Sequence, residues 1–312
     1  MNLVDMTRLF GTAAPWITSS LGLFLATMIL AAFRQGRAVS IWPPRIGPRP
    51  DRTVDRTADA DHIVPAGTEG AGREYTTSQA RDFYQEIAPN YDLRNSGNLV
   101  FTHLATAAAI QAIRAQRSSL RVLDLGGGTG KLIAVHFCND SAVSWTYVDF
   151  CPAMAAEFRR NLSRTQLGDN AEILVDDLVR VVRQLPTASY DVVLLSLVLS
   201  SMPAGLDLTP VARVMRPDGA LVITDINPGY TYAKPLYKVP VGGQVVALRT
   251  TPVDPFDVIR RAGAAGLKMA EQQTIGEGVT YYSFMTVFTP ARQAALNASR
   301  GGDGGAVTTS PA

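Results

Sequence analysis

The most constraining stretch of the chain is Val122-Leu-Asp-Leu-Gly-Gly-Gly-Thr-Gly-Lys131, where an apolar run ends on an acid and gives way to glycines. Such a run reads as a strand, the glycines as a tight loop, and the residues after Lys131 as a helix. Glycines at 126, 128 and 130 let the backbone bend sharply and let a ligand approach it closely. That approach lies at the carboxyl end of the strand, where open α/β sheets bind small molecules. Spacing excludes two nucleotide motifs. A phosphate-binding P-loop would need Gly in place of Leu125 and Ser or Thr in place of Leu132, and a GxGxxG dinucleotide loop would need Gly in place of Lys131. The loop suits a nucleoside ligand that lacks a pyrophosphate.

The flanking sequence alternates in the same style. Strands are expected at LRVLDL (120–125), VSWTYVD (143–149), AEILVD (171–176), DVVLLS (191–196) and GALVITD (219–225). Each of the first four precedes a helix-compatible segment, such as CPAMAAEFRRNL after the second. This β/α alternation calls for a parallel sheet covered by helices on both faces. Toward the end, VIRRAGAAGL is helical, and LKMAEQQTI and VTYYSFMTVF read as two closing strands. Ahead of the first strand, TTSQARDFYQEIA opens on a Thr76/Gln79 capping box and stops at Pro89. A second helix is expected from about residue 98 to 117.

With 312 residues the chain has room for one or two domains and a sizeable core. Cys138 and Cys151 are its only cysteines, too few for a disulfide framework and without the spacing of a zinc site, so no metal is expected. A net charge of +2 gives no general reason to bind nucleic acid.

Between Arg8 and Arg34 no residue is charged, and about 25 residues of helix would exceed the ~30 Å apolar core of a bilayer. Residues 10–33 are therefore expected to be a transmembrane anchor behind a short tail, 1–9. Arginines at 34, 37, 45, 49, 52 and 56 follow, and the positive-inside bias would keep that side, and the domain beyond it, in the cytoplasm. Residues 34–72, rich in Pro, Gly, Arg and Asp, read as a flexible linker, and 290–312 as a disordered tail. The remaining 73–289 make one domain.

Asp149 ends the second strand, about twenty residues after the glycine loop. An acid there can accept both hydroxyls of a ribose. The competing structural role is a cap for the helix opening at Pro152, from which Asp149 is offset by three residues.

Together, VLDLGGGTG, YVDFCPAM, ILVDDL, YDVVLLSLVLSSMP and VMRPDGALVITD resemble, in order and spacing, the successive motifs of class I S-adenosylmethionine-dependent methyltransferases. The segment FYQEIAPNYD resembles the start of the ubiquinone/menaquinone C-methyltransferase-like branch. The resemblance runs from about Tyr84 to Leu267. It implies a Rossmann-like, doubly wound, mostly parallel seven-stranded sheet with an antiparallel final strand, preceded in this chain by the single N-terminal hydrophobic helix. It also implies S-adenosylmethionine as cofactor and methyl transfer to a small acceptor by in-line displacement. The anchor points to a hydrophobic or membrane-associated acceptor, such as a lipid, quinone or polyketide-like molecule.

Carried over residue by residue, the resemblance sets Asp124, Gly126 and Gly128 around the methionine part of the cofactor and Asp149 on its ribose. Phe150 lies against the adenine, Asp177 and Leu178 at the adenine edge, and Ser196 and Leu197 near the sulfonium. Tyr84 and Tyr91 close over the cofactor. Many relatives carry His after the fourth strand, where this chain has Ser200 and Ser201, so a base there is missing.

No catalytic residue is singled out; the candidates are Tyr91 and His103, the latter on the second helix. His62 falls in the linker, and His136 on the helix after the glycine loop packs or faces solvent. The long aromatic stretch INPGYTYAKPLYKVPVGGQVVALRTTPVDP, with Tyr230, Tyr232 and Tyr237, reads as a loop that helps to build the acceptor pocket. The alternatives are a cofactor-binding module without activity and a nicotinamide-dependent reductase.

Overall fold

The computed structural model describes residues 73–93, 97–202, 205–276 and 282–291, and the backbone of strands at 38–41 and 44–47. Those two strands, β1 (Ala38–Ile41) and β2 (Pro44–Gly47), pair antiparallel inside the expected linker and belong to a compact unit of their own.

The second unit begins with β3 (Glu74–Tyr75) and a turn at Thr77–Gln79, where the Gln79 side chain accepts the Thr76 N–H at 3.1 Å. Helix α1 (Ala80–Ile87) follows, then a 3-10 turn over Ala88–Leu93 that contains Pro89, then α2 (Gly97–Arg114). The repeating part comes next: β4 (Leu120–Leu125), α3 (Lys131–His136), β5 (Val143–Asp149), α4 (Pro152–Leu162), β6 (Ala171–Val175), α5 (Leu178–Gln184), β7 (Tyr190–Ser196), α6 (Thr209–Val214) and β8 (Met215–Ile226). After α7 (Pro228–Ala233), β9 (Leu236–Val241) and β10 (Gln244–Arg249), the described chain closes with α8 (Pro255–Ala264), β11 (Leu267–Ile275) and β12 (Ser283–Pro290).

Seven strands form one sheet in the order β11-β12-β8-β7-β4-β5-β6. Strands β6, β5, β4, β7 and β8 pair parallel, while β12 runs antiparallel to both β8 and β11. The expected antiparallel final strand is therefore present, slotted inside the sheet and not at its edge. Central strands are apolar without interruption because both faces are covered. Leu123, Val193, Leu195, Leu221 and Ile223 pack on one side, and Val122, Val192, Leu194 and Val222 on the other. Parallel strands all point their carboxyl ends the same way, which gathers Asp124, Asp149 and Ser196 at one rim.

Two expectations change. The long segment after β8 is not an irregular loop but α7 and a hairpin, and β10 pairs parallel with β3 to make a second sheet, β3-β10-β9. Tyr75, Phe83 and Ile87 are buried against Val239, Val246 and Leu248, so that sheet and α1 form one covering layer with its own core.

The anchor at 10–33 lies outside the described residues, and among the described residues no helix is long and apolar enough to cross a membrane. The expectation of a single-pass membrane protein with a cytoplasm-facing domain is corrected accordingly. The longest described helix, α2, has 18 residues, and it spends its apolar side on the sheet through Ala107 and Ile110.

Gly130 shows how tightly the loop is built. It holds φ +65° at the start of α3, and a Cβ there would fall inside the ring of Phe158 on α4, itself stacked on Tyr147 at 4.3 Å. Gly130→Ala should lower stability by about 2–5 kcal/mol, from left-handed strain of roughly 1–2 and overpacking of roughly 1–3. Urea unfolding measures this directly, and a loss below 1 kcal/mol would contradict the assigned backbone.

Candidate active site

The glycine loop is pinned onto the end of β5 by bonds that leave its outer side clear. Gly126 N–H donates to the Val148 carbonyl at 2.7 Å, and Gly128 N–H donates to Asp149 Oδ2 at 2.9 Å. The Tyr147 hydroxyl donates to the Gly128 carbonyl at 2.6 Å. Among the described residues, none beyond its chain neighbours comes within 4 Å of where a Gly128 Cβ would stand, so a ligand can approach the backbone at that point.

Asp149 does not cap α4. The cap position is Cys151, whose N–H is accepted by Asp149 Oδ1 at 2.8 Å. Both Asp124 and Asp149 are buried, and burial raises their carboxyl pKa values, to about 7 and about 6 respectively. The Asp149 charge adds to the effect on Asp124, while the N–H groups of Cys151 and Gly128 moderate that on Asp149. Two carboxyl groups of this kind, side by side on adjacent strands, suit a ligand that brings positive charge and a diol.

The turn after β7 forms the opposite wall. Leu197 adopts φ +60°, a conformation rare for a branched side chain, and its N–H donates to the Thr224 carbonyl at 2.7 Å. Buried Asp225, at the end of β8, accepts the N–H groups of Ser200 at 3.1 Å and Ile226 at 2.8 Å, so it fixes the turn. Burial raises its carboxyl pKa. Ser201 then points at the covering layer, with its Oγ 2.8 Å from the Tyr84 hydroxyl. Ser200 and Ser201 are thus structural, one held on Asp225 and the other joining the turn to α1.

Tyr84 and Tyr91 meet edge to face at 6.4 Å, and burial raises both phenol pKa values, so neither can act as a base at neutral pH. His103 is pushed down to about 4 by burial and by the neighbouring His136 and Lys131, and stays neutral at physiological pH.

Every residue expected around the cofactor lines one cleft. Tyr84, Tyr91, Asp124, Gly126, Gly128 and Asp149 are joined there by Phe150, Asp177, Leu178, Ser196 and Leu197, and His103 lines it too. Asp177 also caps α5, accepting the Val179 N–H at 2.7 Å. His136 is not among the lining residues, and His62 lies outside the described ones. Tyr230, Tyr232 and Tyr237 do not line the cleft: Tyr230 meets Tyr282 edge to face, Tyr237 meets Phe83 in the same way, and Tyr232 is 75% exposed. Sequence reasoning passed over Thr129 and Lys131, though both stand in the glycine motif. It passed over Thr77, Met154 and Met202 as well, which only the fold brings to the wall.

Residues 122–219 match the methyltransferase domain family. The chain is 27% identical over 207 residues to the ubiquinone/menaquinone biosynthesis C-methyltransferase UbiE of Cereibacter sphaeroides, covering 63% of this chain and 78% of that one. The corresponding protein of Roseobacter denitrificans is 25% identical over 202 residues, covering 61% and 79%. In fold, the chain is similar to the [4+2]-cyclase SpnF, with a TM-score of 0.50 and 15% identity over 71% of this chain and 99% of that one. It is equally similar to SAH-bound magnesium protoporphyrin IX methyltransferase of Synechocystis PCC 6803, with a TM-score of 0.50 and 16% identity over 69% and 99%. This chain is a class I S-adenosylmethionine-dependent methyltransferase, and S-adenosylmethionine is its cofactor. Within that class it is UbiE-like.

Two measurements follow from the acids. Because a cationic ligand favours their ionised forms, binding should release protons. S-adenosylhomocysteine, which keeps the ammonium and the diol, should then bind more weakly as pH falls through about 7 and 6. The loss should approach tenfold per pH unit for each proton released. Calorimetry in buffers of different ionisation enthalpy detects this, and pH-independent affinity between 5 and 8 would refute it. Asp149→Ala should weaken the same ligand by about 1–3 kcal/mol, the scale of charge-assisted hydrogen bonds. An unchanged dissociation constant would show that Asp149 does not hold the ribose.

Proposed function

We propose that residues 73–289 form the catalytic unit of a small-molecule methyltransferase whose acceptor is hydrophobic and quinol-like. The single observation that carries the assignment is the pair of buried acids flanking an open glycine loop, at the ligand end of the sheet. The acceptor class draws on the similarity to the two UbiE proteins and on the apolar and aromatic wall formed by Tyr84, Tyr91, Leu197, Val198 and Met202.

The residues present fit the cofactor. Asp149 suits the ribose diol, and Asp124 with Gly126 and Gly128 the methionine part. Half-exposed Phe150 offers a face to the adenine, with Asp177 and Leu178 at its edge. Ser196 and Leu197 border the sulfonium, and Tyr84 and Tyr91 close over it. When bound, the cofactor supplies an already activated methyl group, so the protein's task is alignment, exclusion of water and, for some acceptors, proton removal.

Alignment is well provided for. Leu197 is held in its strained conformation by the β8 carbonyl of Thr224, and the Tyr84–Ser201 bond draws α1 against the turn after β7. Proton removal is not: His103 is neutral but only weakly basic, and both tyrosines hold their protons. That balance suits an acceptor ionised before it reacts, such as an activated phenol or hydroquinone ring.

The purified protein, given labelled S-adenosylmethionine, should methylate aromatic hydroquinones of moderate polarity at least tenfold faster than hydrophilic amines or carboxylates. His103→Ala should retain at least a third of the rate, without changing its pH profile. Preferred transfer to an amine, or loss of activity in that variant, would overturn the acceptor assignment.

A further inference from the structure

A line of hydroxyl-bearing side chains joins α2 to the cleft across the end of the sheet. Thr106 on α2 donates its hydroxyl proton to the Thr102 carbonyl at 2.8 Å and also lies 3.4 Å from Thr224 Oγ1. Thr224 on β8 donates to Ser196 Oγ at 2.9 Å, and the two are register partners on β8 and β7. Behind them the hydroxyl oxygens of Thr102 and Ser283, on α2 and β12, stand 2.6 Å apart. Thr102, Thr106, Thr224 and Ser283 are wholly buried, and of the five it is Ser196 that lines the cleft.

The order of donors decides where the last proton points. A hydroxyl has one proton to give and two lone pairs. Thr224 spends its proton on Ser196, and Thr224 is the one side-chain partner of the Ser196 hydroxyl among the described residues. Ser196 therefore keeps its own proton for the cleft. The line ends on the Thr102 carbonyl, which cannot take up a proton, so it orients Ser196 and does not drain protons from it.

A positive sulfur repels an O–H proton, so a donor that borders the sulfonium has to serve something else, a group with lone pairs and negative charge. The reacting atom of an acceptor comes within about 3–3.5 Å of the methyl group it takes, which brings an oxygen on the same ring within reach of Ser196. Leu197, Val198 and Met202 line the cleft close by, and in such apolar surroundings a hydrogen bond to an anion is strengthened.

We propose that Ser196 donates to the phenolate oxygen of the acceptor, with Thr224 as the positioning residue that turns its hydroxyl into the cleft. The proposal rests on the methyltransferase and acceptor reading above. It makes Ser196 a residue that selects ionised phenols over uncharged ethers of the same shape.

Anaerobic assays on the full chain test it with a short-chain alkyl-1,4-hydroquinone as acceptor, its di-O-methyl ether as competitive inhibitor, and S-adenosylhomocysteine in calorimetry. Ser196→Ala should lower kcat/KM for the hydroquinone about tenfold or more, the scale of a hydrogen bond to a charged group. In the same variant the inhibition constant of the ether should change less than threefold, and the dissociation constant of S-adenosylhomocysteine less than twofold. Thr224→Val should lower kcat/KM at least threefold, and Thr224→Ser, which keeps the hydroxyl, should stay within twofold of the wild type. Equal losses for hydroquinone and ether overturn the proposal, as does an unchanged kcat/KM. Weakening of S-adenosylhomocysteine by tenfold in a folded variant assigns the hydroxyl to the cofactor and overturns it too. Should Ser196→Ala fail to fold, seen by circular dichroism, the Thr224 pair decides: a valine variant as active as the serine variant overturns the assignment. A wild-type chain that binds S-adenosylhomocysteine but methylates no hydroquinone overturns the proposal together with the acceptor reading, whereas one that does not bind it refutes the cofactor reading itself.

Discussion

Both polar groups of Gly128 are held by consecutive odd-numbered side chains of β5. Its N–H is accepted by Asp149 and its carbonyl receives the Tyr147 hydroxyl. That clamp sets the glycine loop on the strand next to its own, and the rest of the site is arranged around it. The loop cannot tilt away without breaking two short bonds in a region where Asp149 and Tyr147 are otherwise buried. Asp149 is held to the loop by the same bond and to Cys151 by its other oxygen, so its carboxylate is oriented before any ligand arrives. Preorganisation of this kind reduces the ordering cost of binding.

The clamp has an electrostatic consequence. Burial raises the pKa of both acids, and the Asp149 charge adds to the rise at Asp124, so positive charge is favoured where the cofactor's sulfonium and ammonium would lie. The covering layer works in the same direction by keeping water out. Its small sheet ties the segment before α1 to the hairpin after β8, and the Tyr84–Ser201 bond joins that layer to the turn after β7. Buried Asp225 holds the turn from below, so two pieces of chain far apart in sequence border the same cleft.

Much of the sheet was legible because each strand is short, apolar and closed by a turn signal. LRVLDL and VSWTYVD coincide with β4 and β5 to the residue. The ligand rim was legible too, since strand ends carrying Asp124, Asp149 and Ser196 must fall together once the strands are parallel. The segment after β8 was harder to read. Its prolines, glycines and tyrosines look like loop, yet Leu236–Val241 and Gln244–Arg249 become strands because Glu74 and Tyr75 supply a partner edge from far upstream. Strand propensity depends on such partners. The apolar N-terminal stretch pointed to a membrane span by hydropathy alone, whereas among the described residues no helix is long and apolar enough to cross a membrane.

The sequence by itself determined the alternating α/β order, the glycine loop and the acids at the strand ends, because these depend on local propensity and on a period that any parallel sheet enforces. The tertiary structure alone decided what each polar group faces. Ser201 meets Tyr84 across 117 positions and Asp92 meets Asn161 across 69, and no spacing along the chain encodes such meetings. Side-chain partners across that distance are set by how helices and strands pack, so the covering layer emerges only once the chain is folded.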